Sequence, residues 1–567
     1  MRSYIFIIAL FVIYSVLAFQ LGRIQLVEHD KYQKLADRQH YKRVEIPALR
    51  GAILDRNGKI LAHSIETNSI YADPKEIEDK PHTSRELANA LDLDVSRVQK
   101  ALDRDKRFAW IKRQVSKKEA QAVEELALAG VSIQKESRRS YPCGKLLCHI
   151  LGFVDIDESG LEGVEFTFNT ELSGRPGYKV ITRDGLQRAI FSAENPYASP
   201  VNGDNLVLTV DITIQHILEE ELDKAFEKWK PVSATVIAMD PATGEILALS
   251  NRPTFDPNLF TISSADQRRN RAITDSYEPG SIMKPLVVSG ILQRRLVSPK
   301  DVIFCSNGVY KIGRRTLRDV HSYGNLTVEE VVIHSSNIGM SKLAAKNSIR
   351  GLYEDLRGFG LGRPTGIRLP GEVGGILRHY KNWTSYSTAS VAMGYEVAVT
   401  PLQMITAYCT IANGGTLLRP RTVKAIVDGD GRIKKRFGPE SRGRMLDSEL
   451  ANGVMTPILT RVIDEGTGRR AAIKGHKVAG KTGTSKKIKP GGKGYRDTGY
   501  ISSFIGYAPA EEPKICVLVM VNEPHGRAYY GGTVAAPVVK EILRRSLNYM
   551  KSTVSQVEGS DVGKKLI

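Results

Sequence analysis

The distribution of apolar positions changes character several times along the chain. Tyr4 to Leu21 (YIFIIALFVIYSVLAFQL) is a run of eighteen residues without a formal charge, long enough to cross the hydrocarbon core of a bilayer as one helix. Ala18 is followed by Phe19, Gln20 and Leu21, which is no small-x-small cleavage site, so the run reads as a retained anchor. The polar stretch from Arg23 to Arg43 predicts a helical stalk. Asn57-Gly58 lies between apolar runs in RGAILDRNGKILA (Arg50 to Ala62) and predicts a hairpin turn. Thr83 to Gly130 reads as short amphipathic helices with lysine-rich faces, and a Gly-rich stretch from Gly160 to Gly177 leads to a boundary between Asn195 and Asp204.

Beyond that boundary Ile212 to Trp229 has a long helical period. SATVIAMD and EILALS are two strands joined by the turn Pro241-Ala242-Thr243-Gly244. Tyr500 to Pro509 and Lys514 to Pro524 are two more, and Val534 to Tyr549 is a closing helix. Strands at both ends with helices between them predict an α+β domain, its helices packed on an antiparallel sheet. The expected segments are an anchor at 1–22, an elongated α/β pedestal at 23–202, the α+β domain at 203–550 and a loose tail at 551–567.

Composition adds limits. A length of 567 residues exceeds one ordinary domain. The net charge of +19 permits nucleic acid, anionic lipid or an acidic polymer as a neighbour. The basic residues, however, are scattered in short pairs (Arg268-Arg269, Arg314-Arg315, Arg469-Arg470, Arg544-Arg545) with no interleaved aromatics. A solvated basic surface is therefore the reading, with no nucleic-acid partner. Five cysteines make no disulfide scaffold; Cys143 and Cys148 could pair in an oxidising space, Cys409 and Cys516 sit in apolar runs as core fillers, and none has a metal-site spacing.

Candidate chemistry lies in three places. In EPGSIMKP, Ser281 and Lys284 are three apart at a helix start, so the amine could reach the hydroxyl, in a place that favours negative charge. Ser132 and Lys135 share that spacing, so the pair alone indicates little. Thr327 and Glu330 form a capping box ahead of a helical run ending at HSSNIGM, which leaves Ser335 and Asn337 at a helix end or loop. Ser-x-Asn recurs at Ser546 and Asn548, read as chance on a surface helix. Lys481-Thr482-Gly483-Thr484 follows a short β-like segment, with Gly483 allowing another backbone to approach. The ordered set Ser-x-x-Lys, Ser-x-Asn, Lys-Thr-Gly in one α+β domain is specific where each piece is not.

At these residues the chain resembles the penicilloyl serine transferases, the superfamily of penicillin-binding proteins and serine β-lactamases. The anchor, RGAILDRNG before the catalytic domain, and no room for a preceding glycosyltransferase domain make it similar to class B penicillin-binding proteins. RAITDSYEPGSIMKP, SIYADPKEI and GYEVAVTPLQM are similar to the division-specific FtsI type. The resemblance implies a dimerisation-type pedestal and a peptidoglycan D,D-transpeptidase domain. It implies Ser281 as nucleophile, Lys284 as general base, Ser335 as a bridge between Lys284 and Lys481, and Asn337 as holder of the substrate amide. It further implies Thr482, Gly483 and Thr484 along an edge for the extended substrate, with Lys481 and Thr484 taking its terminal carboxylate. The oxyanion hole maps to the backbone N–H groups of Ser281 and Thr484. No metal or organic cofactor is implied. The implied partners are peptidoglycan stem peptides, β-lactams as covalent inhibitors, the inner membrane, and an FtsW-type glycosyltransferase with other division proteins. The implied location is single-pass in the inner membrane at the septum, the N-terminus cytoplasmic and the catalytic domain outside. The rival readings are an elongation-type transpeptidase, a β-lactamase or penicillin sensor, and a non-catalytic division scaffold.

Overall fold

Strand β1 (Ser233–Met239) carries Val236 and Ala238 on one face and Ile237 and Met239 on the other, and all four are fully buried. It is the middle of a layered structure. The computed structural model describes residues 2–183, 189–190, 196–489, 491 and 494–558. With β1, strands β2 (Ile246–Arg252), β3 (Ala479–Ile488), β4 (Tyr495–Ala508) and β5 (Ile515–Asn522) form a five-stranded sheet in the order β2-β1-β5-β4-β3. Every neighbouring pair is antiparallel.

Six helices frame the sheet and the site: α1 (Ile212–Trp229), α2 (Lys284–Gln293), α3 (Asn337–Ala344), α4 (Pro401–Ala412), α5 (Thr456–Asp464) and α6 (Ala536–Glu558). Ile214, Leu218 and Leu222 of α1, with Val539, Ile542 and Leu543 of α6, join Val236, Val517 and Val519 in one core. On the opposite face Leu286 of α2, Ile405 of α4 and Ile458 of α5 join Ile237, Leu518 and Met520. A sheet covered on both faces needs strands apolar on both faces, which is why KICVLVMVNEP reads as a continuous run and not as an alternation. The expected α+β architecture holds. Helix α6, though, runs on to Glu558, past the expected end at Tyr549, and residues 559–567 of the expected tail lie outside the described residues.

The chain divides by its internal contacts into two units, one of residues 1–51 and 173–204, the other of residues 52–172 and 205–567. In the first, the Arg2–Gly22 helix carries the apolar run; the span Ser3–Val27 is long and apolar enough to cross a membrane. The stalk helix, His29–His40, ends before Arg43, because Tyr41–Ile46 forms a six-pair antiparallel ladder with Gly177–Arg183.

In the second unit the Asn57-Gly58 hairpin forms as expected. Gly58 has φ +83°, and the buried Asp55 carboxylate accepts from the N–H groups of Asn57 and Lys59. Ile53–Leu54 pairs parallel with Asn205–Leu208, and Asn57 donates to Asp211, the N-cap of α1. RGAILDRNG is thus the joint that fastens this segment to α1. Ile60–Ala72 then forms a ten-pair ladder with Val131–Ser140. The helical reading of Thr83 to Gly130 is correct for Lys80–Leu91, Val95–Leu102 and Lys117–Glu125 but misses the strand Ala109–Val115, which pairs with Ile60–Ala72. The same ladder settles the Ser132–Lys135 pair: in a strand, residues three apart point to opposite faces.

One ion pair anchors this sheet. Arg139 Nε lies 2.7 Å from Glu165 Oε1 with both side chains essentially inaccessible, and the Tyr141 hydroxyl donates to the same oxygen at 3.3 Å. Removing one partner strands a buried charge. Arg139→Met should destabilise the protein by about 3–5 kcal/mol, while Arg139→Met with Glu165→Leu should recover much of that loss; thermal unfolding of the two variants measures the difference.

Candidate active site

Ser281 sits in a 3₁₀ turn, Gly280–Met283, that runs directly into α2. The turn is forced by its neighbours. Gly280 has φ +59°, and a Cβ there would fall 2.9 Å from the carbonyl oxygen of Thr484. Behind it Gly394, at φ +81°, leaves no room at all: a Cβ would fall 2.2 Å from the Gly280 oxygen. The Tyr408 hydroxyl of α4 donates to the Ile282 carbonyl at 2.8 Å, holding the turn from inside the core. On the other side a Cβ on Gly483 would meet Ser503 Oγ at 2.4 Å and the Pro279 oxygen at 3.0 Å. The serine turn therefore presses directly on the Lys481–Thr484 stretch of β3, an edge strand of the sheet. Ser281 itself is half-buried and lines a cleft of about 840 Å³, which Ser335, Asn337, Tyr395, Thr482 and Thr484 also line.

Lys284 is wholly buried. Its Nζ donates to the Ser335 carbonyl at 2.6 Å, the Ser335 hydroxyl at 3.1 Å and the Asn337 side-chain oxygen at 2.8 Å. Those three bonds match the three donors of an ammonium. Ser335 can present both its carbonyl and its hydroxyl because its φ is +60°, a left-handed conformation that a non-glycine residue holds only under constraint. Ser335 lies just after the Val328–Ile333 helix, whose start is the capping box of Thr327 and Glu330 read from the sequence. Lys481, also wholly buried, reaches the Thr482 carbonyl at 3.3 Å and the Thr482 hydroxyl at 3.4 Å, and that hydroxyl bonds Thr467 at 2.7 Å. The Thr484 hydroxyl accepts from the Gly531 N–H at 3.0 Å.

Burial lowers the Lys284 pKa to about 7, against an opposing pull from Asp319, and pushes Lys481 well below the usual lysine range, with the charge of Lys284 adding to the effect. Burial thus governs Lys284, and the like-charge effect of the pair is felt at Lys481.

Asp319 is the residue that sequence reasoning missed. Its carboxylate accepts the Ser336 hydroxyl at 2.6 Å and the N–H groups of Asn337 at 2.5 Å and Ile338 at 3.1 Å, capping α3 where Asn337 must be held. It lies between a small hairpin and a loop, 17 residues before Ser336, and no local signal in the sequence marks it. Ser546 corrects a second reading: it is fully buried on α6, not on a surface face, while Asn548 is exposed. All five cysteines are free thiols, so Cys143 and Cys148 are not paired.

Helices on both faces of an antiparallel sheet, with a serine pinned against the edge strand near a buried, easily deprotonated amine, make an arrangement suited to passing an acyl group through serine. Comparison with known proteins gives the family. The penicillin-binding protein transpeptidase domain matches residues 234–544, and the penicillin-binding protein dimerisation domain matches residues 45–208. A probable peptidoglycan D,D-transpeptidase, PenA of Neisseria meningitidis, is 36% identical over 93% of this chain and 89% of its own length. Peptidoglycan D,D-transpeptidase FtsI of Escherichia coli is 34% identical over 94% of this chain and 90% of its own length. Stage V sporulation protein D of Bacillus subtilis is 34% identical over 94% of this chain and 84% of its own length. Among solved structures, penicillin binding protein 3 of Mycobacterium tuberculosis, complexed with aztreonam, superposes with a TM-score of 0.71 at 28% identity, covering 90% of this chain and 97% of that one. The chain belongs to the class B penicillin-binding proteins, and is a peptidoglycan D,D-transpeptidase of the serine type.

The sign of the pH dependence follows from the buried amine. With Lys284 as the general base, which works deprotonated, the rate of acylation by benzylpenicillin should be flat above about pH 7 and fall about tenfold per pH unit below it. Asp319→Asn removes the anion that favours the ammonium, so its inflection should move to lower pH. Stopped-flow acylation across this range checks both.

Proposed function

We propose that this protein cross-links stem peptides during septal wall synthesis through an acyl-enzyme on Ser281. The observation that carries the chemistry is the Lys284 amine, buried, bonded to Ser335 and Asn337, and lowered to about 7. Neutral Lys284 takes the Ser281 proton as Oγ attacks the carbonyl between the two terminal D-alanines. Ser335 passes a proton toward the departing amine, and Asn337 holds the substrate amide beside β3. Lys481 and Thr484 receive the terminal carboxylate, with Thr482 and Gly483 shaping the edge on which the peptide lies as an added strand. The backbone N–H groups of Ser281 and Thr484 take the developing oxyanion; losing one such donor costs about a hundred- to a thousandfold in rate. β-Lactams acylate the same serine.

In this reading 1–22 is the anchor, 23–202 the pedestal, 203–550 the transpeptidase domain and 551–567 a tail. The substrate lies outside the inner membrane, so the N-terminus is cytoplasmic and the catalytic domain extracytoplasmic. The likeness to FtsI of E. coli favours a septal site of action beside an FtsW-type glycosyltransferase.

Two experiments test this. Fluorescent penicillin should label the wild type on Ser281, as located by mass spectrometry, and should not label Ser281→Ala. An absence of label on well-folded wild type would overturn the catalytic assignment. A fluorescent fusion in dividing cells should collect at the septum; a lateral, elongation-type pattern would remove the septal role and leave the chemistry standing.

A further inference from the structure

Residues 361–366 form a loop that arginines from three other segments hold by its carbonyls. Arg357, at the end of the helix Ile349–Gly358, donates from Nη1 to the Gly362 carbonyl at 2.7 Å and the Leu361 carbonyl at 3.4 Å. Arg442, on the exposed strand Ser441–Arg444, donates from Nη1 to the Pro364 carbonyl at 3.2 Å. Arg419, just past the strand Thr416–Leu418, donates from Nε to the Gly366 carbonyl. Gly366 has φ +78°, and a Cβ there would run into Arg442 Nη2 and lie 3.2 Å from Arg419 Nε, so both guanidinium groups reach the loop because that position is glycine. Arg363 stands in the middle of the loop. Its carbonyl accepts from Gln403 of α4 at 2.8 Å, while its own Nε is buried with no hydrogen-bond partner among the described residues. None of these residues lines the Ser281 cleft.

The carboxylates around this loop are engaged elsewhere. Glu372 accepts the N–H groups of Thr365 and Gly366, one on each oxygen. Glu440 pairs with Arg419, Asp355 with Arg294, and Glu354 with Arg350 and Arg294. Arg357, Arg363 and Arg442 have no ion pair among the described residues. Burial, and then the charges of Arg357 and Arg442, push the Arg363 guanidinium below its usual range. The positive surface continues beyond the loop. Lys434, Lys435 and Arg436 lie on the exposed strand Ile433–Arg436, and the Phe437 ring that follows carries Lys435 at 5.1 Å and Arg368 at 5.7 Å.

We propose that Arg357, Arg363 and Arg442 form a binding site for a phosphate group. Each guanidinium has five N–H donors and gives only a part of them to the loop, so donors remain for a ligand. Three guanidinium groups held by separate segments can meet several oxygens of a tetrahedral phosphate at once, whereas a planar carboxylate is met by a single fork. The dianion of a phosphate monoester or of pyrophosphate offsets most of the charge that the protein leaves unbalanced here. The lysines and arginine of Ile433–Arg436 raise the local concentration of such anions. A lipid headgroup and a soluble phosphate ester both carry this chemistry.

The test uses the full chain in detergent, titrated with inorganic pyrophosphate in a calorimeter at constant ionic strength. Wild type should bind it saturably. Arg363→Ala and Arg442→Ala should each weaken binding about tenfold or more, and Arg363→Lys should weaken it less than Arg363→Ala. A thermal unfolding midpoint close to that of wild type shows that a variant is folded, and the exposed Arg442 keeps the test decisive should Arg363→Ala not fold. Prior acylation with benzylpenicillin, which fills the cleft, should leave the affinity unchanged. Absence of saturable binding by wild type, unchanged affinity in the folded arginine-to-alanine variants, or competition by benzylpenicillin would overturn the proposal. Glycerol 3-phosphate and glycerophosphoglycerol then separate the two sources. Tighter binding of the monoester assigns the site to a soluble phosphate ester, tighter binding of the diester assigns it to a lipid headgroup, and either result, lost in the arginine variants, supports the site.

Discussion

Two lysines buried without a carboxylate in contact are the constraint around which this site is built. An ammonium withdrawn from water is costly, and the cost falls when the group gives up its proton. Lys284 and Lys481 occupy positions that the fold otherwise gives to core residues, beside the fully buried Ile282, Met283 and Ala479. Burial thereby turns an ordinary amine into one that can exchange a proton near neutrality. The hydrogen bonds to Ser335 and Asn337 keep Lys284 in one place while it does so.

The close approach of backbones around the serine serves that same constraint. Gly280, Gly394 and Gly483 each sit where a Cβ would collide with main chain or a near neighbour, and together they let the serine turn lie directly on β3. A looser contact would admit water to the lysines and return them toward their ordinary pKa. The layered sheet gives the other half of the arrangement. Helices cover both faces and β4 pairs with one side of β3, so the edge of β3 remains the place where an extended peptide can add its own backbone bonds.

What the sequence made legible was what is local or ordered along the chain. The Thr327–Glu330 capping box, the Asn57-Gly58 turn and the apolar strands on either side of the catalytic segment are set by neighbouring residues, and each is found where it was expected. Ser281-x-x-Lys284 could not be told from Ser132-x-x-Lys135 by spacing, because only the surrounding packing makes one a turn entering a helix and the other a strand. Ala109–Val115 was hidden because Lys112, Arg113 and Gln114 interrupt its alternation, and their long side chains are satisfied by partners far along the chain, such as Glu136 for Arg113.

Asp319 shows why the missing information matters to the chemistry. A carboxylate near a lysine normally stabilises the ammonium and so opposes its use as a base. Here that pull is present but does not prevail, because the burial of Lys284 outweighs it, while the Asp319 oxygens bond the Ser336 hydroxyl and two N–H groups at the start of α3. The carboxylate sits at a helix end, where unpaired donors and the dipole favour a negative charge. One residue thus fixes the position of Asn337 without forming an ion pair with Lys284. A carboxylate that bonded Lys284 directly would secure the geometry and hold the amine charged, whereas one that caps α3 secures the geometry and leaves the proton free to move.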